Sequence, residues 1–592
     1  MKVLKNIFWV IGIIGIIISC KPEIEMPAPS GGGLDLNNFL AMGNSLTAGY
    51  QDAGLYLEGQ EQSLAAIIAG QIQEINSGLV FQQPTMPENG SGYIRLEALD
   101  LANQLFQFKV IPPDPTWTNK IPGTYQNLGI TGMRVRDITV NGYGASAELG
   151  NPYFYRILDE NEAMKSYLDK VSEAEVSIYT CWLGNNDVLD YALTGGAYGT
   201  EGFPGTGING LTPVDDFEAS YDALMSVLSS KGAKGVLGTV PDISNIPFFN
   251  TIVWNQVVVD ENTAAIANAF YASQIDPQVE GKVEDGLISL VATDTVVSVA
   301  VIPDLAETTI WLQTYNALID AGMSEQDASD SAYAFLASPA GQAANAQLQA
   351  DLNEELPLYL LGYPVSPELQ PLFDQIGILL ATDQQLQTAI TEAEAGIKQA
   401  YDAGMLPELE AEVETQTEAQ IAALKAAGIY PTFSAGANGF VIEVPITETN
   451  PLGIRQMVEG EKILFTAFTI LANPQDALAP QPDELILTLE ELDSIRSFTD
   501  EYNEIIRGYE SSDIAIVESD DILKAINDGL FIDGTEVDGS YIQGGAFSLD
   551  AIHLTPRGYA IVANSYIEAI NEKFSASIPP VNISTYRAVI LP

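Results

Sequence analysis

The sequence predicts an α/β protein: a parallel central sheet with helices on both faces, carrying a large, mainly helical insertion. Three observations predict it. Short apolar runs repeatedly lead into turns rich in glycine and asparagine. Helical stretches lie between several of those runs, and such alternation is the pattern of a parallel sheet rather than of a sandwich or bundle. From about residue 261 to 430 the composition then turns to Ala, Gln, Glu and Leu, the signature of helices.

In chain order, the first twenty residues read as a targeting segment and take no part in the fold. Lys2 and Lys5 precede a short apolar run, residues 7–18, which is too short for a confident membrane span. It ends in Ile17-Ile18-Ser19-Cys20, which resembles a bacterial lipobox, although Ile18 is bulkier than the usual occupant. That resemblance implies a signal peptide over 1–19, export, cleavage before Cys20 and acylation of its sulfur. Several acyl chains hold a protein on a membrane durably. The expected location is the bacterial cell envelope, lipid-anchored, with the outer membrane as the expected membrane. Residues 20–36, with three prolines and Gly31-Gly32-Gly33, read as a flexible tether.

The expected strands follow. Phe39-Leu40-Ala41-Met42 leads into Gly43-Asn44-Ser45, and Tyr125-Gln126-Asn127-Leu128 into Gly129-Ile130-Thr131-Gly132. The run ending at Leu183 leads into Gly184-Asn185-Asn186-Asp187, and residues 235–240 into Pro241-Asp242. Residues 162–170 and 217–230 are the expected helices between them. In parallel sheets a site gathers at the carboxyl ends of the strands, where these polar turns fall. Within the insertion, Leu386, Ile390, Ala393, Ile397 and Tyr401 keep a helical spacing closed by Gly404. Leu409, Val413, Ile421 and Leu424 form a second face closed by Gly428. This predicts an αα-hairpin, its stripes being packing faces. A strand-like piece at 440–444, a helix at 489–507 and a closing helix at 555–574 complete the reading. The expected division is 37–250 and 485–592 for the two parts of the sheet domain and 251–484 for the insertion.

Charge and cysteines exclude several functions. Twenty-four basic against 79 acidic residues give a net charge of −55, which repels nucleic-acid backbones and anionic headgroups. No nucleic-acid partner is expected, and the only membrane contact expected is through the lipid anchor. After Cys20 only Cys181 remains, in an apolar, β-prone run, so the mature chain has no internal disulfide. With one histidine and one such cysteine, a zinc site of the usual N/S type is not expected, and no metal or other cofactor is assigned.

His553 is the only histidine in 592 residues, and its side chain is the one whose ordinary pKa suits proton transfer near neutral pH. Asp550, three positions earlier, can accept from the imidazole and set its tautomer. Ser45 follows an expected strand and opens a glycine-containing turn, which exposes its hydroxyl and its N–H. Acyl transfer needs such a nucleophile, a base, an orienting acid and donors aimed at the developing oxyanion. Gly132, without a side chain, lets its N–H approach closely, and Asn186 can offer an amide N–H.

Four blocks in order therefore resemble the SGNH (GDSL-type) hydrolase superfamily: Gly43-Asn44-Ser45-Leu46, Asn127-Leu128-Gly129-Ile130-Thr131-Gly132, Gly184-Asn185-Asn186-Asp187 and Asp550-Ala551-Ile552-His553. The resemblance covers roughly 37–250 and 485–575. It implies Ser45 as nucleophile, the Asp550–His553 pair as acid and base, and an oxyanion hole of Gly132, Asn186 and the Ser45 N–H. It also implies a flavodoxin-like three-layer α/β/α sandwich and metal-free hydrolysis of a small-molecule or lipid ester. Asn44 stands where the family usually has Asp. About 300 residues separate Val240 from Asp550, so the insertion is expected to be a cap or an appended domain. A carbohydrate O-acetyl esterase and a non-catalytic envelope binding lipoprotein are the alternatives on the same fold. Competing motifs lack their context. Gly205-Thr206-Gly207-Ile208-Asn209-Gly210 fits G-x-G-x-x-G without a preceding strand, no G-x-S-x-G elbow surrounds Ser45, and 533–539 lacks calcium-loop spacing.

Overall fold

The computed structural model describes residues 28–100, 105–196, 210–468 and 474–592. The apolar leader, residues 20–27 of the expected tether (Cys20 among them) and residues 205–209 of the glycine-rich motif lie outside the described residues. The chain divides into two compact units. The first takes in the described residues up to Val257, with Gly439–Glu443 and Met457–Pro592; the second is Val258–Asn438 with Val444–Gln456.

The first unit is α/β. Its central sheet has five parallel strands: β1 (Phe39–Gly43), β2 (Asn127–Gly129), β3 (Ile178–Trp182), β4 (Lys234–Gly238) and β5 (Ile514–Val517). Their order across the sheet is β2-β1-β3-β4-β5. β1 lies between β2 and β3, with Gly43 level with Gly129 on one side and Trp182 on the other. Every residue of β1, β2 and β3 is buried. Parallel strands are covered on both faces, which is why β1 is apolar throughout instead of alternating. Beyond β4 the ladder is extended by a side chain: Asn503 Oδ1 accepts from Val240 N–H at 2.7 Å and its Nδ2 donates to Val240 O at 2.8 Å.

The helices that matter for the site are α1 (Ser45–Ala48), α2 (Leu64–Ile75), α3 (Tyr167–Glu173), α4 (Asn185–Ala192), α5 (Val214–Ser230), α6 (Leu489–Arg507), α7 (Ser519–Asp528) and α8 (Pro556–Phe574). α2 packs with α8, while α5 packs with α3 and α6. α6 has the expected bounds because Thr488 and Glu491 form a reciprocal capping box at its start. α8 begins where Thr555 accepts from Gly558 N–H with proline at its first position. The helix expected over 162–170 is displaced: Ser166 and Asp169 make a capping box that starts α3 at Tyr167.

Cys181 is fully buried and unpaired, and burial pushes its thiol up to about 12. Residues 28–36 depart from the expected tether. Ser30 exchanges two backbone hydrogen bonds with Ser577, and Leu36 is buried in the core. The 251–484 insertion is likewise wider than the second unit. Lys462–Ile463 pairs antiparallel with Ile486–Leu487, and Phe465 packs on Phe248, holding that stretch in the first unit. The 533–539 stretch is a hairpin turn, Leu530–Ile532 with Thr535–Val537 joined by Asp533-Gly534, both at positive φ.

The second unit is helical and larger than the expected hairpin. Among the described residues it holds the helices Glu261–Ala300, Ile302–Asp320, Glu325–Ala337, Pro339–Leu360, Gln370–Thr382, Gln384–Asp402 and Pro407–Ala426. The last two are the anticipated pair, closed by Gly404 and Gly428 at positive φ. Val297, Ile302, Leu352, Leu356, Phe373 and Ile376 give this unit a core of its own. No single described helix is long and apolar enough to cross a membrane.

Sheet packing in the first unit leaves no room at Gly235, where an added Cβ would sit 2.3 Å from the Tyr179 ring. Gly235→Ala is expected to destabilise this unit by about 1–3 kcal/mol. Urea denaturation followed by near-UV circular dichroism measures it, and an unchanged midpoint would contradict the packing described.

Candidate active site

The site lies at the carboxyl ends of β1, β2 and β3. Ser45 is the first residue of α1, directly after β1, and it is 5% exposed. Asn44 caps that turn by accepting from Leu46 N–H at 3.1 Å, a capping role that Asp or Asn performs equally well. The turn is tight at both ends. A Cβ at Gly43 would meet Thr47 Oγ1 at 2.0 Å, and Asn127 Nδ2 of β2 donates to Thr47 O at 3.3 Å.

Ser45 Oγ lies 2.8 Å from His553 Nε2, across 508 positions of sequence, and His553 Nδ1 lies 2.9 Å from Asp550 Oδ2. Asp550 is buried, which alone would raise its pKa, but its electrostatic attraction to the imidazole and the hydrogen bonds from the His553 ring, the His553 N–H and the Ile552 N–H outweigh burial and hold it well below the usual range. An ionised carboxylate only accepts, so Nδ1 carries the imidazole proton and Nε2 presents its lone pair to the Ser45 hydroxyl. Oδ1 accepts from His553 N–H at 2.8 Å, Ile552 N–H at 3.0 Å and Ser548 Oγ at 3.0 Å. Oδ2 also accepts from Ala53 N–H at 3.0 Å. The Tyr50 ring lies on the imidazole, centroids 4.5 Å apart.

Reading the sequence did not find Asp52, Ala53, Ser548 or Tyr50. Asp52 and Ala53 both have positive φ, a conformation non-glycine residues rarely adopt. It aims Ala53 N–H at Asp550 and lets Asp52 accept from Leu549 N–H at 3.1 Å and Tyr56 Oη at 2.7 Å. Ser548 Oγ accepts from Asp52 N–H at 3.0 Å and so ties the two loops together. Asp-Ala after a turn carries no pattern that announces this, and Ser548 sits only two positions from Asp550.

The expected oxyanion donors also have distinct local supports. Gly132 is at φ +79°, and a Cβ there would meet nothing closer than Asn151 Nδ2 at 3.9 Å. Asn151 holds the turn by donating to Thr131 O at 2.8 Å. Asn186 Nδ2 donates one hydrogen to Met133 O at 3.0 Å, leaving its second hydrogen for another acceptor. Ser45 N–H, at a helix start, has no intrahelical acceptor, and among the described residues Gly132 N–H has none either.

Behind these donors is an acidic cluster. Asp187 is fully buried, with both carboxylate oxygens accepting from Val135 N–H at 3.1 and 2.9 Å. Burial pushes Asp187 up to about 7 and Asp190 up to about 6. Arg134 pairs with Asp137 at 3.2 Å. Among the described residues no cluster of His, Cys, Asp and Glu has the arrangement of a metal site. Comparison of the chain with protein-family models, curated proteins and solved structures finds no match.

Because the folded pKa of Asp187 is raised, its protonated form favours folding. That contribution is full below the ordinary carboxylate value of about 3.9 and is lost as pH rises through about 7. The stability of the parent relative to Asp187→Asn is therefore expected to fall between about pH 4 and pH 7. Paired denaturant melts across that range measure it; parallel curves would refute the buried, costly charge.

Proposed function

We propose that this protein is a serine esterase or lipase that hydrolyses carboxylic esters through an acyl-enzyme, with Ser45, His553 and Asp550 as nucleophile, base and orienting acid. The observation that carries the reading is the unbroken contact from Ser45 Oγ through the imidazole to Asp550, at 2.8 and 2.9 Å. His553 Nε2 takes the hydroxyl proton as Oγ attacks the ester carbonyl. The oxygen that becomes negative is received by the N–H groups of Ser45 and Gly132 and by the free amide hydrogen of Asn186. Collapse breaks the bond to the alcohol oxygen, which takes the proton from Nε2. Water then enters, gives a proton to the same nitrogen and releases the acid and Ser45. Asp550 stays ionised throughout and stabilises the imidazolium between the two transfers.

The strand order β2-β1-β3-β4-β5 supports a flavodoxin-like α/β/α arrangement, in which ligands bind at the carboxyl ends of the strands on either side of the point where the order reverses. Ser45 at the end of β1 sits at that point. The leader and Cys20 support a lipid-anchored place in the bacterial envelope, with the outer membrane as the proposed site. The substrate class is a small-molecule or lipid ester, O-acetylated carbohydrate included, and the helical unit is proposed to act in substrate recognition.

The test is hydrolysis of p-nitrophenyl esters by the protein beginning after the expected tether residue Gly33. Ser45→Ala is expected to lower kcat by more than ~10³-fold, and Asn186→Ala by roughly 10²–10³-fold with KM little changed. Absence of turnover by the parent, with Ser45 unlabelled by a fluorophosphonate, would turn the reading to a non-catalytic binding protein.

A further inference from the structure

Beside the catalytic contact, the first unit holds an apolar cavity of about 60 Å³ that none of the hydrolytic steps uses. Its walls come from the carboxyl ends of four parallel strands. Leu46 follows β1, Trp182 ends β3, Pro241 follows β4 and Ser519 follows β5. The remaining wall is the loop that carries the histidine, through Phe547, Ile552 and Leu554. Leu46 and Ile552 are thus the immediate neighbours of Ser45 and His553. The floor is one face of α7, where Ser519, Ile522, Leu523 and Ile526 recur at helical spacing. Ser519 is the one lining residue with a hydroxyl, and it is 3% exposed. The Trp182 indole N–H is turned to Thr239 O at 3.0 Å, so the walls offer an occupant mainly hydrocarbon, which favours an apolar one.

We propose that this cavity takes a short alkyl chain of the ester, an inference that rests on the esterase reading above. A water-sized group occupies roughly 10–15 Å³ of such space, so the cavity holds roughly four to six of them. That is the bulk of a butyl to hexyl chain, far less than a palmitoyl chain. The chain belongs either to the acyl part or to the alcohol part, and both present the same hydrocarbon to the same walls. The place is favourable for either, because Ser45 and His553 flank the scissile bond from which both parts extend.

Two ester series separate the sources: p-nitrophenyl esters from acetate to decanoate, which vary the acyl chain, and alkyl acetates from ethyl to decyl, which vary the alcohol. Ile522→Phe narrows the floor, and Ile522→Ala deepens it. In the series whose chain enters the cavity, Ile522→Phe is expected to lower the six-carbon to two-carbon ratio of kcat/KM by at least ~10-fold. Ile522→Ala is expected to raise the ten-carbon to six-carbon ratio by at least ~3-fold. A change confined to the first series assigns the acyl chain, and one confined to the second assigns the alcohol. Both ratios staying within about threefold of the parent for both folded variants, with turnover still dependent on Ser45, would overturn the cavity assignment and leave the esterase standing. Absence of Ser45-dependent turnover in the parent would overturn both.

Discussion

A buried carboxylate has lost its water, and the protein must replace it hydrogen bond by hydrogen bond. Asp550 meets that demand with five donors: the backbone N–H groups of Ala53, Ile552 and His553, the Ser548 hydroxyl and the imidazole. Each donor fixes a piece of chain. The 548–553 loop folds back on its own acid, with Ala551 at positive φ to make the reversal. The segment after α1 adopts two left-handed residues so that Ala53 can reach the same carboxylate. Tyr541 Oη and Tyr559 Oη then pin these loops by donating to Leu549 O and Tyr50 O. The distance between Ser45 and His553 is therefore a by-product of solvating Asp550: once that carboxylate is satisfied, the imidazole has little freedom to leave the serine.

The same constraint accounts for tolerance of the long insertion. The Ser45–His553 contact needs β1 and the loop before α8 in fixed register, and neither depends on what connects β4 to β5 in sequence. Loop-closure entropy grows only as the logarithm of length. A segment that buries its own Val297, Leu352, Phe373 and Ile376 adds little disorder to the unit that hosts it. Within the first unit, Met457 N–H donates to Phe440 O and Gln481 pairs with Val441 and Glu443.

Much of this was legible in the sequence, for physical reasons that differ by residue. Strands β1 and β3 announce themselves because a strand covered on both faces is mainly apolar and does not alternate. α6 and α8 are marked by Thr488 with Glu491 and by Thr555 with Pro556, local capping chemistry that a sequence displays directly. Ser45, Gly132, Asn186, Asp550 and His553 stand out because each sits in a turn after an apolar run or beside the lone histidine. The hydrogen bond from Ala53 to Asp550 was not legible, since it is made by a backbone amide whose side chain carries no information. The bounds of the second unit were not legible either. Lys462–Ile463 and Phe465 are held in the first unit by a two-residue ladder with Ile486–Leu487 and by packing on Phe248, interactions that depend on partners far along the chain. The helix expected at 162–170 failed for a local reason, because Ser166 competes as a cap and wins.

The proposed chemistry places a developing negative charge in a molecule of net charge −55, with acids directly behind its oxyanion donors. Three features make that compatible. Burial raises Asp187 and Asp190, so both lose charge more readily than an exposed acid, and the field at Asn186 weakens toward lower pH. Arg134 is itself half-opposed by burial, yet Asp137, Asp190 and Asp187 hold it charged, and it offsets the acid that remains ionised. The donors are also fixed before any charge appears: Asn186 by Met133 O, Gly132 by the turn that Asn151 holds, and Ser45 N–H by the start of a helix. A preorganised amide in a water-poor site interacts with an adjacent oxyanion far more strongly than a more distant, partly neutralised acid does. Short-range dipoles therefore prevail over long-range charge, and an acidic protein can stabilise an anion at its centre.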